Sequence, residues 1–309
     1  MRQLIYNNFL NKPSRFLSSF MFLLSTLLLF VNSTVSAWWD EGHLAVAQIA
    51  YEELQPEVIH KVEPYLDAVS GSFPNHSDFV MASVWADDIV HDGINSFLLW
   101  HGSARPYDPE GILSLQEKEI ILAKFEGNDI VWAIDECKKT LKNPNATPWA
   151  KGFMLRMLIH IVGDIHQPIH CTTYYSHNFP KGDRAGTRYR IKHEKYESIH
   201  QLFDGAFGLG DHRPERPMTE GDKRHLSDLV FYLKTEFPRD SLPQLVEKKI
   251  DSWRQESYDI GVNFGYGNIA LNESPSEQVM MEGKIVTGKQ LALAGYRLAD
   301  LLNDILGGN

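Results

Sequence analysis

His160 and Asp164 stand four residues apart in the stretch FMLRMLIHIVGDIHQPIH, residues 153–170. On an α-helix of about 3.6 residues per turn, such a pair stacks on one face as two ligands for one cation. The apolar residues Met154, Met157, Leu158, Ile161 and Val162 keep helical spacing and predict an amphipathic or buried helix. Pro168 should end it near Ile165 or His166, leaving His170 just past the break and free to curl back. A lone histidine on an apolar face is ordinarily a core residue with a satisfied hydrogen bond. Here a carboxylate sits among imidazoles in apolar surroundings, which is costly unless a partner neutralises them, and a divalent cation satisfies them together.

The same residue types recur along the chain. His43 opens an amphipathic helix behind Gly42, Asp87 and Asp88 adjoin an aromatic residue in VMASVWADDIV, and His101 follows the apolar run FLLW. His200 and Asp204 repeat the four-residue spacing. If the chain is cut before Trp38, that residue's free amine and carbonyl oxygen form a bidentate chelate close to His43. The candidate ligands are then Trp38, His43, Asp87, His101, His160, Asp164, His170, His200 and Asp204, too many for one zinc ion, whose coordination number is low. Two or three clustered metals are a device for phosphoester hydrolysis, because they clamp attacking and leaving oxygens and acidify a water between them.

The elements that must position these groups are mostly helices. Helical signals cover residues 57–69, a short segment from Asp78, 114–124, 128–141, a segment resuming near His225, 245–260 and 288–306. TRYRI, residues 187–191, is the one convincing strand and predicts a small hairpin. With no repeat, low-complexity tract or convincing linker, the expectation is an all-α fold: one mainly helical domain over residues 38–309 with a small β-hairpin. Arg2, Lys12 and Arg15 precede a charge-free apolar run over residues 17–31, and Val35 and Ala37 suit a cleavage site, so residues 1–37 read as a signal peptide. The product is expected to be secreted or in another extracytoplasmic compartment, with no stable membrane association after cleavage. No feature points to an obligate protein partner. Cys137 and Cys171 allow at most one disulfide, and sequons at Asn75, Asn145 and Asn272 permit glycosylation.

The whole chain carries a net charge of −10; removing the three basic residues of the leader leaves 27 basic against 40 acidic side chains. Binding nucleic acid by counterion release usually requires the opposite sign, so bound cations must supply attraction for phosphate.

These residues resemble the single-strand-specific zinc nucleases, or class I nucleases, a family with fungal, plant and trypanosomatid members. The likeness spans essentially the whole mature chain. The amino-terminal tryptophan and GHxxVA motif match Trp38 and His43, WAD matches Asp87, the apolar-WH element matches His101, HxxGDIHQPxH matches His160, Asp164 and His170, and HxxxD matches His200 and Asp204. The resemblance implies three zinc ions: one held by Asp87, His101, His160 and Asp164, a second by His170, His200 and Asp204, a third by Trp38, His43 and the shared Asp164. It implies attack of a metal-bridging hydroxide on phosphorus, with Asp87 orienting or deprotonating the water. The products would be 5′-phosphorylated fragments of single-stranded DNA and RNA, and phosphate from 3′-nucleotides. Bacterial zinc phospholipases C share the fold and zinc arrangement and supply an alternative activity; a secreted zinc-binding protein without turnover is another. DRAGT, residues 183–187, looks like the family's DRGGN element near the base pocket and favours the nuclease.

The chain also departs from that family. Val90 stands where Arg or Lys is usual, Gly102 and Ala104 replace an aromatic residue and an aspartate, and Thr187 replaces the asparagine of DRGGN. Loss of an aromatic platform removes stacking worth roughly 1 to 3 kcal/mol per base and predicts weak base preference. Arg105 is the expected replacement cation, with Arg184 and Thr187 completing the substrate contacts and His91 behind them. Arg105→Ala is expected to lower kcat/KM for phosphodiesters by about tenfold or more while leaving zinc content intact. Kinetics on the four 3′-nucleotides check both points, and strong selectivity for one base or an indifferent variant would refute them.

Overall fold

The computed structural model describes residues 38–308, so the leader expected over residues 1–37 lies outside the described residues. Asp40–Glu52 forms α1 and Pro56–Ser70 forms α2, which places Pro56 in the first turn, where no N–H is needed. The 3₁₀ turns Pro74–His76 and Met81–Val84 lead into α3 (Trp85–His91), and a third, Asn95–His101, ends on a candidate ligand. After β1 (Arg105–Tyr107) come α4 (Leu115–Ala123), α5 (Ile130–Lys142) and α6 (Pro148–Asp164). The 3₁₀ turn Pro168–Cys171 feeds β2 (Thr172–Tyr174), followed by α7 (Ile199–Asp204), α8 (Glu220–Glu236), α9 (Ile250–Ile260) and α10 (Glu277–Leu306). The chain is mainly helical, as the periodicity predicts.

The core is built around α6. It packs against α1, α2, α3, α5 and α10, and residues 155–164 are buried on every side. A helix surrounded in this way can be apolar all round, so its polar residues stand out as functional. It begins earlier than its apolar spacing suggests, because Thr147 caps it by accepting from the Ala150 N–H and Pro148 pre-sets the first turn. It ends at Asp164, ahead of Pro168. The last helix likewise starts well before residue 288, capped by Ser276; its first turns leave Met281 and Ile285 exposed, so no apolar stripe marks them.

The expected hairpin is not formed. Over residues 187–191 only one antiparallel bridge occurs, Arg190 with Ser198, and the named strands are instead a parallel pair, β1 with β2, in register Arg105 to Thr172. Tyr189 and Ile191 turn into a second buried cluster with Tyr196, Ile199, Phe203 and Tyr266, which bends the segment away from an extended ladder. Cys137 and Cys171 are buried free thiols. No helix of the described residues is long and apolar enough to cross a membrane.

Gly152 decides how closely α6 meets α2. A Cβ built there falls 2.0 Å from the backbone oxygen of Tyr65. Alanine would gain at most about 1 kcal/mol of helix propensity but drive two backbones apart, so Gly152→Ala is expected to destabilise by roughly 2 kcal/mol. The midpoint of urea denaturation checks the sign.

Candidate metal centre

The candidate ligands come from six elements. His43 comes from α1, Asp87 from α3, His101 from the end of the turn before β1, His160 and Asp164 from the last turns of α6, and His170, His200 and Asp204 from the turn before β2 and from α7. All of them are buried. Asp164 Oδ2 lies 3.2 Å from both His101 Nδ1 and His160 Nε2, and its Oδ1 lies 3.3 Å from His43 Nε2. Asp87 Oδ1 is 3.6 Å from the same two nitrogens of His101 and His160. His200 Nε2 and Asp204 Oδ2 are 3.3 Å apart, with the His170 ring stacked on His200. Three groups have ligand atoms mutually close enough for one cation: His43, Asp87 and His160; His101, His160 and Asp164; and His170, His200 and Asp204.

Backbone carbonyls set the tautomers. A carbonyl oxygen only accepts, so Nδ1 of His160, His170 and His200 must donate to Ser83 O, His101 O and Ala185 O at 2.6, 2.7 and 2.6 Å. Each neutral ring therefore carries its lone pair on Nε2. For His160 and His200 that lone pair points at a carboxylate oxygen, an arrangement that repels unless a proton or a cation lies between them. His160 Nε2 also faces His101 Nδ1 at 3.0 Å. Both oxygens of Asp164, both ring nitrogens of His43 and Nε2 of His101 and His170 are buried with no hydrogen-bond partner among the described residues. An imidazole whose far nitrogen is fixed by a carbonyl is how proteins orient a metal ligand. The donor set of nitrogens and carboxylate oxygens fits a divalent cation.

The electrostatics show how strongly these groups act on one another. Burial would depress His160, but Asp164 and Asp87 outweigh it and raise its pKa to about 9. Burial likewise opposes ionisation of Asp164, yet His160 and its neighbouring imidazoles hold it well below the usual carboxylate range. Asp204 goes the other way: burial pushes it well above that range despite a hydrogen bond from Gln167, and Asp87 and Asp164 add repulsion. Burial lowers His43 and His170. A divalent cation would relieve all of these, since it favours neutral imidazole and ionised carboxylate together.

Gln167 escapes a reading by spacing because it sits in a tight turn with no periodicity. Its Nε2 donates to Asp204 Oδ1 at 2.6 Å and its Oε1 accepts from the Ile169 and His170 N–H groups, joining two ligand segments. His166 is equally buried; it donates to Val162 O and accepts from Arg297, whose guanidinium is paired with Glu256. Trp38 lies buried with its indole N–H on Gly163 O, and the Trp39 N–H donates to Asp204 O at 2.9 Å.

The expected substrate residues lie around this core. Arg184, Ala185 and Gly186 form a left-handed turn with φ of 58°, 49° and 76°, which aims Ala185 O at His200 and leaves Arg184 exposed. Thr187 donates to Arg184 O. Asp183 anchors the turn by accepting from the Tyr174 N–H and Tyr266 O–H, and burial raises its pKa to about 6. Arg105 donates to Gln255 at 2.6 Å and lines a cavity of about 510 Å³ with Asp129 and Arg254; none of the candidate ligands is in its lining. Val90 is buried, and a Cβ on Gly102 would fall 2.8 Å from His170 O, so Gly102 cannot carry a side chain in this packing.

The S1/P1 nuclease family model matches residues 38–307. Among curated proteins, the chain is 22% identical to Endonuclease 3 of Arabidopsis thaliana over 92% of its own length and 95% of that protein's. Endonuclease 1 of the same plant is 24% identical over 92% of each chain, and Endonuclease 4 is 22% identical over 87% of this chain and 89% of its own.

Asp164 faces three imidazoles at once, so its charge is central to holding cations here. Addition of Zn²⁺ to chelator-treated protein is expected to raise Tm by about 10 °C or more, and Asp164→Asn to lose most of that gain. Calorimetry of both proteins with and without metal checks this; equal gains would remove Asp164 from the site.

Proposed function

The chain belongs to the S1/P1 nuclease family, and from that premise we propose that it is a secreted zinc-dependent phosphoesterase. It cuts single-stranded DNA and RNA to 5′-phosphorylated products and releases phosphate from 3′-nucleotides. The observation that carries the reading is the buried set of imidazoles and carboxylates whose ligand atoms converge in groups suited to a divalent cation. The endonuclease relatives support nucleic acid as substrate, and the start of the family match at residue 38 supports a mature chain that begins at Trp38 after loss of residues 1–37.

Three zinc ions are assigned to Asp87, His101, His160 and Asp164; to His170, His200 and Asp204; and to Trp38, His43 and Asp164. Bound there, zinc supplies Lewis-acid polarisation of phosphoryl oxygens and a water acidic enough to attack phosphorus at neutral pH. Asp87, 3.6 Å from His101 and His160, would help hold a cation there and would orient the attacking water and accept its proton. Gln167 holds Asp204 and His170 in register. Arg184, exposed on the turn that anchors His200, and Arg105 and Thr187 contact the substrate.

Asp87→Asn is expected to retain the fold and to lower kcat by roughly 10² or more, the usual scale for loss of a positioned base. Zinc-loaded wild type and variant, assayed on single-stranded and duplex DNA, RNA, 3′-nucleotides and phosphatidylcholine, test the proposal. Hydrolysis of single strands and 3′-nucleotides, lost in the variant, is the expected result. Rapid phosphatidylcholine hydrolysis with no nucleotide product would overturn it, and near-normal turnover in Asp87→Asn would remove that residue from the mechanism.

A further inference from the structure

The side of the centre formed by Asp204 carries a contact that spacing does not predict. Trp39, partly exposed, has its N–H on Asp204 O, and the guanidinium carbon of Arg213 lies 4.1 Å from the centroid of its indole ring. That is well within cation–π range. Tyr196 and Lys195 lie on the same indole at 5.6 and 5.9 Å.

The cations around this rim differ in what remains for a ligand. Lys195 is paired with Asp211, and Arg216 is spent on Asp88 and Asp40. Arg213 is exposed, and among the described residues no carboxylate lies within ion-pair distance of it. A guanidinium seated over an indole keeps its N–H groups for other partners. Such a planar fork matches two oxygens of a phosphate in a way that an ammonium does not. Arg213 is joined to the Asp204 side of the centre through Trp39, whose N–H donates to Asp204 O.

We propose that Arg213, seated on Trp39, binds a backbone phosphate of a single-stranded nucleic acid flanking the phosphate held at the metal centre. The inference rests on the nuclease reading given above and deepens it by naming a strand contact on the Asp204 side. It also answers a difficulty of charge. A chain of net charge −10 repels a polyanion, and an unspent guanidinium beside the centre gives the strand a local foothold. Trp39 acts as a positioning residue for Arg213.

The test is equilibrium binding of a fluorescent ten-nucleotide oligothymidylate to zinc-loaded Asp87→Asn protein at several salt concentrations, with Arg213→Ala, Arg213→Lys and Trp39→Leu added to that background. Arg213→Ala is expected to weaken binding by about tenfold and to reduce the slope of log K against log salt by about 0.7, the loss of one single-strand phosphate contact. Arg213→Lys should restore the slope but only part of the affinity, a split that a merely structural role would not produce. Trp39→Leu should weaken binding less than Arg213→Ala and add little to it in the double variant. Zinc content is measured throughout, so that loss of metal is not read as loss of the strand contact. Unchanged affinity and slope in Arg213→Ala would overturn the inference while leaving the nuclease reading intact. Arg213-dependent strand binding by a protein whose parent hydrolyses no nucleotide would overturn that reading and leave the strand contact standing.

Discussion

Everything in this structure is arranged around one buried carboxylate. Asp164 has no solvent, three imidazole nitrogens within 3.3 Å and no hydrogen-bond partner for either oxygen among the described residues. A lone buried carboxylate costs several kcal/mol, more than most single interactions in a domain can offset. The protein does not relieve that cost with an arginine. It fixes the rings of His160, His170 and His200 with backbone carbonyls, which leaves Nε2 of each for a proton or a cation. The fold serves this arrangement: α6 is wrapped on all sides so that its last turn can hold His160 and Asp164, and the segments bearing the other ligands are tied to it or to each other through main-chain and side-chain bonds.

Charge follows from the same constraint. Carboxylates and neutral imidazoles are the ligands that divalent cations need, so a chain rich in acidic residues is compatible with a phosphate substrate once those cations are bound. The surrounding arginines then divide into two kinds. Arg216 clamps Asp40 at the head of α1 to Asp88 beside Asp87, and Arg297 sits buried against Glu256 and His166; both are structural. Arg184 and Arg213 are exposed on the rim and are available to a ligand.

The clustering of imidazoles and carboxylates was partly legible because helices give two of its pairs a period. His160 with Asp164 and His200 with Asp204 are neighbours on a helix face by geometry alone, and Pro168 announces the turn that brings His170 back. Capping sets starts that apolar spacing does not mark: Thr219 with Asp222 closes a box that begins α8 at Glu220, ahead of the apolar signal near His225, as Ser114 with Glu117 does for α4. What was not legible depends on contacts between distant segments. The pairing of β1 with β2 needs residues far apart to lie side by side, whereas TRYRI had local strand character that the aromatic cluster overrode. Gln167 carries no period, and Arg213 reaches Trp39 only because the loop before α8 folds back over the start of α1. The first turns of α10 were missed because their exposed Met281 and Ile285 break the apolar stripe.

Crystals of the protein beginning at Trp38, measured at the zinc absorption edge, test the central claim most directly. The account predicts three anomalous peaks: one among Asp87, His101, His160 and Asp164, one among His170, His200 and Asp204, and one between His43, Asp164 and the amino terminus of Trp38. A map with no peak at the cluster, in which the imidazoles and carboxylates are reconciled by protons and ordered water alone, would contradict it.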